Sequence, residues 1–150
     1  MLDCEIQALK TLKHENVLSC FEVVRDINSC HIITEFCNEG DLSAYLKKKR
    51  RLSENETMKI LKDIVAGFIE IGENSFLHRD LKLANIFMKN GKAKIADFGF
   101  AKKIRYSSER ERYNVGSPLY MSPEALKKNI YSVKNDIWSI GIMAYELLHG

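Results

Sequence analysis

The sequence is short of the residues that would force an unusual architecture. Its 150 residues hold two prolines, Pro118 and Pro123, and one tryptophan, Trp138. Long hydrophobic runs are missing. The longest apolar stretch, Ile137 to Leu148, is interrupted by Glu146 and falls short of the roughly 20 residues a membrane helix needs, which excludes a span. The opening Met-Leu-Asp-Cys-Glu has neither a basic segment nor an apolar core, so it does not read as a secretory signal. Cysteine is scarce and lopsided: Cys4, Cys20, Cys30 and Cys37 all fall in the first quarter, with no C-x-x-C pair. That argues against zinc and for reduced, buried thiols in a cytosolic or nuclear compartment, so a cytoplasmic location is expected. Neither sign of charge dominates, with 23 basic against 20 acidic residues and a formal charge of +3, too mild to argue for or against nucleic acid. Repeats and low-complexity segments are also absent. What is left is the composition of one ordinary globular domain.

Within that composition the local patterns are clear. Leu2, Ile6, Leu9 and Leu12 share one helical face, which predicts a helix over residues 2–13. The β-branched and aromatic runs Val17–Arg25 and His31–Phe36, separated by Asp26-Ile27-Asn28-Ser29, predict a hairpin. Asp41 is placed to N-cap a short helix carrying Leu42, Tyr45 and Leu46. Ser53-Glu54-Asn55-Glu56 is a capping box. The helix it opens puts Ile60, Leu61, Ile64, Val65, Phe68 and Ile69 on one face and ends near Gly72. Residues 100–121 lack sustained periodicity and read as a long loop, a feature usually functional in compact domains. The last helix, about 134–148, is apolar nearly all round and is expected to be buried. Strands first and helices later suit an α+β layout. The cationic run Lys47–Arg51 reads as a solvated helix end that suits the macrodipole. It has no interleaved aromatics, so no nucleic-acid partner is expected.

The most informative feature is His78-Arg79-Asp80-Leu81-Lys82-Leu83-Ala84-Asn85 followed by Asp97-Phe98-Gly99. Between them, Ile86–Lys89 and Lys92–Ala96 flank Asn90-Gly91, a strong hairpin signal because both turn positions need φ > 0. Closing that hairpin brings Asn85 and Asp97 to one end of a ribbon, with Asp80 just upstream. Hard oxygen ligands with few other protein groups suit Mg²⁺ carried in by a phosphate substrate.

These residues resemble a eukaryotic protein kinase. The match is to the catalytic-loop pattern H-R-D-L-x-x-x-N, to D-F-G, to the A-P-E position occupied by Ser122-Pro123-Glu124, and to the Asp-x-Trp-x-x-Gly helix at Asp136–Gly141. The resemblance implies a two-lobed kinase-like fold, α+β, truncated at both ends. Residues 1–34 would be an N-lobe remnant from helix C, 35–40 the hinge, and 41–150 the C-lobe through helix F. It implies ATP and Mg²⁺ as cofactors and a protein substrate, and leaves room for a regulatory protein partner.

Residue by residue, the resemblance makes Asp80 the group that takes or orients the substrate hydroxyl proton. Lys82 contacts the γ-phosphate in serine/threonine kinases. Asn85 and Asp97 become Mg²⁺ ligands. Thr34 is the gatekeeper, the backbones of Glu35 and Cys37 meet the adenine edge, Asp41 reaches the ribose, and Phe87 forms the floor of the base pocket. Glu5 is the helix-C glutamate whose lysine partner is not in this chain. His78, Phe98 and Leu9 belong to an internal hydrophobic spine, and Asp136 holds the catalytic-loop backbone. Arg79 implies control by loop phosphorylation, with Tyr106, Ser107, Ser108 and Tyr113 as candidate sites. Ser117 and Lys82 together favour serine/threonine over tyrosine specificity. Asp-Phe-Gly-Phe-Ala-Lys with Gly-Ser-Pro-Leu-Tyr-Met-Ser-Pro-Glu is most similar to the autophagy-initiating group and related protist kinases, whereas Phe87 is similar to the NIMA-related group.

The pattern has gaps. Nothing resembling the G-x-G-x-x-G loop or the Val-Ala-Ile-Lys lysine precedes Glu5, and Glu124 lacks the Arg it would normally pair with, which would leave a buried carboxylate unpartnered. The expectation is a fragment of a longer serine/threonine kinase, itself inactive. The alternative is a truncated, non-catalytic kinase-like binding module.

Overall fold

Helix α1 covers Leu2–Thr11 and buries Ile6, Ala8 and Leu9. Leu12 continues the stripe just beyond it, 2% exposed, with its N–H bonded to Ala8. The computed structural model describes residues 2–104, 111–112 and 115–150. The hairpin expected next is present as β1 (Cys20–Arg25) and β2 (Cys30–Thr34), antiparallel with an irregularity at Cys20/Glu22. Its turn is set by Asp26, whose carboxylate accepts the Asn28 and Ser29 N–H groups at 2.8 and 2.9 Å. Helix α2 (Leu42–Lys49) is capped by Asp41, which accepts the Ala44 N–H at 2.8 Å. Its C-terminal lysines face solvent as expected, with Lys49 paired to Glu56 and lying 5.0 Å from the Tyr45 ring.

The capping box at Ser53 opens α3 (Glu54–Glu73), with both reciprocal bonds formed. Its buried line is Thr57, Ile60, Ile64, Gly67 and Ile71, so the apolar face differs from the expected one: Val65 and Ile69 are exposed. Gly67 explains the offset. A Cβ there would stand 2.4 Å from the Asn16 carbonyl oxygen and 3.2 Å from Ile95 Cδ1. The helix therefore turns its glycine, not its bulkiest residues, towards the 14–18 segment and the next hairpin. Gly67→Ala is expected to destabilise the protein, because overpacking of about 1–3 kcal/mol outweighs the roughly 1 kcal/mol gain in helix propensity. Urea denaturation would show a lower midpoint; an unchanged one would mean that the Asn16 segment yields freely.

After α3 come β3 (Phe76–Leu77), a 3₁₀ turn at Leu83–Asn85, and the hairpin β4 (Ile86–Lys89) with β5 (Lys92–Ile95). Asn90 and Gly91 have φ of +52° and +73°, the conformations their turn requires. The segment read as a loop contains more order than expected. Lys102–Lys103 forms β6 and pairs with β3, placing Lys103 Nζ 5.5 Å from the Phe76 ring. Glu111–Arg112 forms β7, which pairs with β8 (Ile130–Tyr131), and Pro118–Tyr120 is a 3₁₀ turn. Two-residue strands leave no periodicity to read. Tyr106, Ser107, Ser108 and Tyr113 lie outside the described residues.

Helix α4 (Pro123–Lys128) buries only Ala125, and Glu124 is exposed, which corrects the expectation of a buried, partnerless carboxylate. Helix α5 (Val133–His149) packs on α3 and the Pro118–Tyr120 turn through Asn135, Asp136, Ser139, Met143 and Leu147. It is not buried all round: Ile137, Trp138 and Tyr145 are 45–65% exposed, because the described chain supplies neighbours to one side only. The cysteines are likewise half-buried rather than buried, and all four are free thiols. No helix among the described residues is long and apolar enough to cross a membrane. One core joins the parts, running from Leu9 and Leu12 through Ile64, Leu81 and Ile95 to Phe98, Met143 and Leu147.

Candidate active site

The loop between β3 and β4 carries the first motif, and Asp136 of α5 fixes how that loop begins. Its two carboxylate oxygens accept the backbone N–H groups of His78 at 2.8 Å and Arg79 at 2.9 Å. The grip holds Arg79 at φ +69°, a left-handed backbone costing a non-glycine residue about 1–3 kcal/mol. Burial pushes the Asp136 carboxyl above its ordinary range, opposed by His78 and the two N–H donors. Burial also pushes the His78 imidazole down, opposed by Asp136 and the bond to Ala96. Its Nε2–H donates to the Ala96 carbonyl at 3.1 Å, leaving Nδ1 to accept the Asp80 N–H at 3.4 Å. The ring also packs on Phe98, centroids 5.0 Å apart, while Leu9 lies in the same core.

Asp80, 4% exposed, sits at the centre of a polar cluster. Lys82 Nζ lies 2.7 Å from Oδ2, and the Ser117 hydroxyl donates to Oδ1 at 2.9 Å. Lys82 also donates to the Ser117 Oγ at 3.0 Å, so the three side chains form a closed triangle. Asn85 turns its amide nitrogen onto Asp80, at 2.9 Å from the backbone oxygen and 3.1 Å from Oδ2. That orientation leaves the Asn85 amide oxygen uncommitted among the described residues. The hairpin closes as expected: Ile86 pairs with Ile95, and the Ala96 N–H bonds the Asn85 carbonyl at 2.9 Å, which brings the start of Asp97-Phe98-Gly99 beside Asn85. Asp97 adopts φ +60° and accepts the Gly99 N–H at 3.2 Å.

Glu5 reaches this end of the ribbon from α1. A Cβ at Gly99 would stand 3.1 Å from Asp97 Oδ1 and 3.9 Å from Glu5 Oε2, so the two carboxylates are near neighbours. Burial and then the Asp97 charge push the Glu5 carboxyl up. Among the described residues no cation lies within ion-pair distance of it. Arg79 is already engaged, its Nε donating to the Phe100 carbonyl at 2.7 Å.

A cavity of about 260 Å³ lies at the end of β2. Thr34, Glu35, Phe36, Cys37, Gly40, Leu18 and Phe87 line it. The Glu35 N–H is committed to Ser19 O at 3.0 Å, while no described group donates to the Glu35 carbonyl. The volume is below the 300 Å³ or so of a drug-sized site and suits a planar fragment. Asp41 stands next along the chain, bridged to Phe87, with one carboxylate oxygen spent on its cap.

The Glu35 side chain was not foreseen. It is buried and faces away from the cavity onto Lys89 at 2.8 Å, Lys94 at 2.9 Å and the Ser19 N–H at 2.9 Å. The signal that could have found it is the strand period: Lys89 and Lys94 fall on the Phe87 face of the hairpin, opposite the buried Ile86, Met88, Ala93 and Ile95 face. Burial acts to raise the Glu35 pKa, but the bonds from Lys89, Ser19 and Lys94 prevail and hold it at about 2, against 4.5 ordinarily. A carboxyl whose folded pKa lies below its unfolded value contributes stability fully above the unfolded pKa and loses it as pH falls through the folded one. Thermal melts from about pH 5 to about pH 2.5 should therefore show wild type losing more stability than Glu35→Gln. Parallel curves would refute this.

The comparisons with known proteins give the family. The family model described as protein kinase domain matches residues 2–150, and the chain belongs to that family. It is 38% identical over 160 residues to serine/threonine-protein kinase ULK1 of Homo sapiens, covering 100% of this chain and 15% of that protein. It is 37% identical over 156 residues to serine/threonine-protein kinase atg1 of Dictyostelium discoideum, covering 99% of this chain and 23% of that protein. With serine/threonine-protein kinase 33 of Bos taurus it shares 35% over 161 residues, 100% of this chain and 33% of that protein. The chain thus spans a third or less of the length of these relatives. Its α+β content is that of a kinase domain over a 150-residue stretch.

Proposed function

We propose that this chain forms the central part of a protein serine/threonine kinase that transfers the γ-phosphoryl group of Mg-ATP to a Ser or Thr hydroxyl of a protein substrate. The observation that carries the reading is the Asp80–Lys82–Ser117 triangle. Phosphoryl transfer asks a protein mainly for positioning and charge neutralisation. A nearly buried carboxylate can orient and accept the proton of an incoming hydroxyl. The ammonium beside it offsets negative charge on the group in transit, and Ser117 ties the loop bearing it to the same carboxylate.

The residues present fit the ligands this reading needs. Asn85 has its amide nitrogen occupied and its oxygen open, and Asp97 is a carboxylate at the same end of the hairpin, a hard-oxygen pair suited to Mg²⁺. Bound there, the ion would neutralise phosphate charge. For ATP, the uncommitted Glu35 carbonyl and the Cys37 backbone are the edge that reads adenine. Thr34 and Phe87 shape the base site, and the free oxygen of Asp41 serves the ribose. Glu5, raised by burial and by Asp97, suits a basic group supplied by the rest of the protein. Arg79 and the 100–121 segment would bring control by phosphorylation, and we place the protein in the cytoplasm, where its free thiols stay reduced.

The test is phosphate transfer from γ-labelled ATP by the purified full-length protein, offered Ser, Thr and Tyr versions of one peptide library. Transfer to Ser and Thr alone is expected. Nucleotide binding without any transfer would favour the non-catalytic binding module instead.

A further inference from the structure

Three lysines of one hairpin face the same way. Phe87 is the cross-strand partner of Lys94 in the β4–β5 ladder, and Lys89 is the partner of Lys92. Phe87 lines the base-sized cavity, whereas Lys89, Lys92 and Lys94 line a separate cavity of about 270 Å³ behind it, together with Glu15 and Glu35. Glu35 is the wall between the two. Lys94 is the most enclosed of the lysines in these ion pairs, its side chain 11% exposed against 6% for Glu35. It makes two bonds: to Glu35 Oε1 at 2.9 Å and to the Glu15 carbonyl at 2.6 Å. Lys92 takes the Glu15 carboxylate, and Asn16 donates to the Ala93 carbonyl at 2.9 Å. Lys94 therefore joins three separate pieces: the 14–19 segment, the strand that carries Phe87's partner position, and Glu35.

We propose that Lys94 is a positioning residue for adenine recognition: it fixes the Glu35 backbone carbonyl relative to Phe87, so the edge and the floor of the base site are held in register by an ammonium that never touches the nucleotide. This rests on the reading that the cavity beside Glu35 takes adenine. The geometry makes the point directly. The Glu35 N–H and carboxylate are both held, by Ser19, Lys89 and Lys94, and only its carbonyl remains for a ligand. Lys89 grips the same carboxylate but is the more exposed of the two, at 34%, and bonds no second segment, so water can replace it more readily.

The experiment is steady-state kinetics and fluorescent-ADP titration of the full-length protein as wild type, Lys94→Met, Lys94→Arg, Lys89→Met and Glu35→Gln. Lys94→Met should raise KM for ATP and Kd for ADP about tenfold, the equivalent of one lost ordering contact, with kcat changed by less than about threefold. Lys94→Arg should restore both to within about twofold, since it keeps the charge and the reach. Lys89→Met should have the smaller effect. Glu35→Gln, which keeps the shape of the side chain, should reproduce the KM rise even if Lys94→Met folds poorly. A fall in melting temperature with KM and Kd unchanged would overturn the proposal and leave Lys94 a purely structural ion pair, as would a fall in kcat alone. If wild type binds no adenine nucleotide, both this proposal and the reading of the cavity fail. If wild type binds and turns over ATP and Lys94→Met leaves nucleotide affinity untouched, only this proposal fails.

Discussion

Asp80→Asn in the full-length protein is expected to lower kcat by about 10²-fold or more, the range for loss of a positioned base. The substitution keeps shape and removes charge, so the loss should be in turnover rather than folding. Its consequences can be read from the bonds. Asp80 Oδ2 receives both Lys82 and Asn85, and Oδ1 receives Ser117. An amide offers one oxygen and one NH₂ group, so one side of the group can no longer accept. The preferred flip keeps the oxygen on Lys82 and Asn85 and turns NH₂ towards Ser117, whose hydroxyl can reverse to accept it. The triangle then survives in outline without its base. KM for ATP should move less than about threefold, because the cavity beside Glu35 shares no residue with the triangle. Steady-state kinetics at saturating peptide would check this, with a melting curve to show that the variant is folded. Turnover equal to wild type would remove Asp80 from the role assigned to it.

The parts of this site that could be read from sequence are those in which neighbouring residues dictate geometry. Asn90-Gly91 between two short apolar runs specifies a hairpin, and the hairpin alone brings Asn85 to Asp97. Ser53 and Glu56 specify their own helix start by reciprocal bonds. Asp26 and Asp41 likewise act within three residues of themselves. Where burial depends on which element lies opposite, the sequence pattern was weaker. Val65 and Ile69 belong to an apolar stripe, yet the contact surface of α3 is decided by how closely Asn16 can approach, and only Gly67 permits it. Helix α5 is apolar on every side, but a periodicity cannot say how many sides meet a neighbour. The Glu35–Lys89–Lys94 cluster was hidden for a different reason. Lysines in a strand are ordinarily assigned to solvent, and only the register, which sets Lys94 opposite Phe87, turns one inward. The short strands β6 and β7 carry no local signal at all, since two residues cannot show a period.

The second large effect falls on stability. Asp136→Asn should destabilise the protein by about 3 kcal/mol, the upper part of the range for leaving a buried donor unmatched. Asp136 is 2% exposed, and both its oxygens accept backbone N–H groups. One oxygen becoming NH₂ would set donor against donor, at 2.8 Å towards His78 or 2.9 Å towards Arg79. The damage should not stay in α5. Arg79 holds φ +69° only while its N–H is fixed, and relaxation of that residue towards the right-handed region would swing Asp80, the next residue, off Lys82 and Ser117. Asp136→Asn is therefore expected to lower both the urea midpoint and kcat, although the residue makes no bond within the Asp80–Lys82–Ser117 triangle. The distinction from Asp80→Asn is sharp: one variant loses turnover at unchanged stability, the other loses both. A stable Asp136→Asn protein with normal turnover would show that the 78–85 loop keeps its conformation without α5, and that the strain at Arg79 is held by other contacts, its side-chain bond to Phe100 among them.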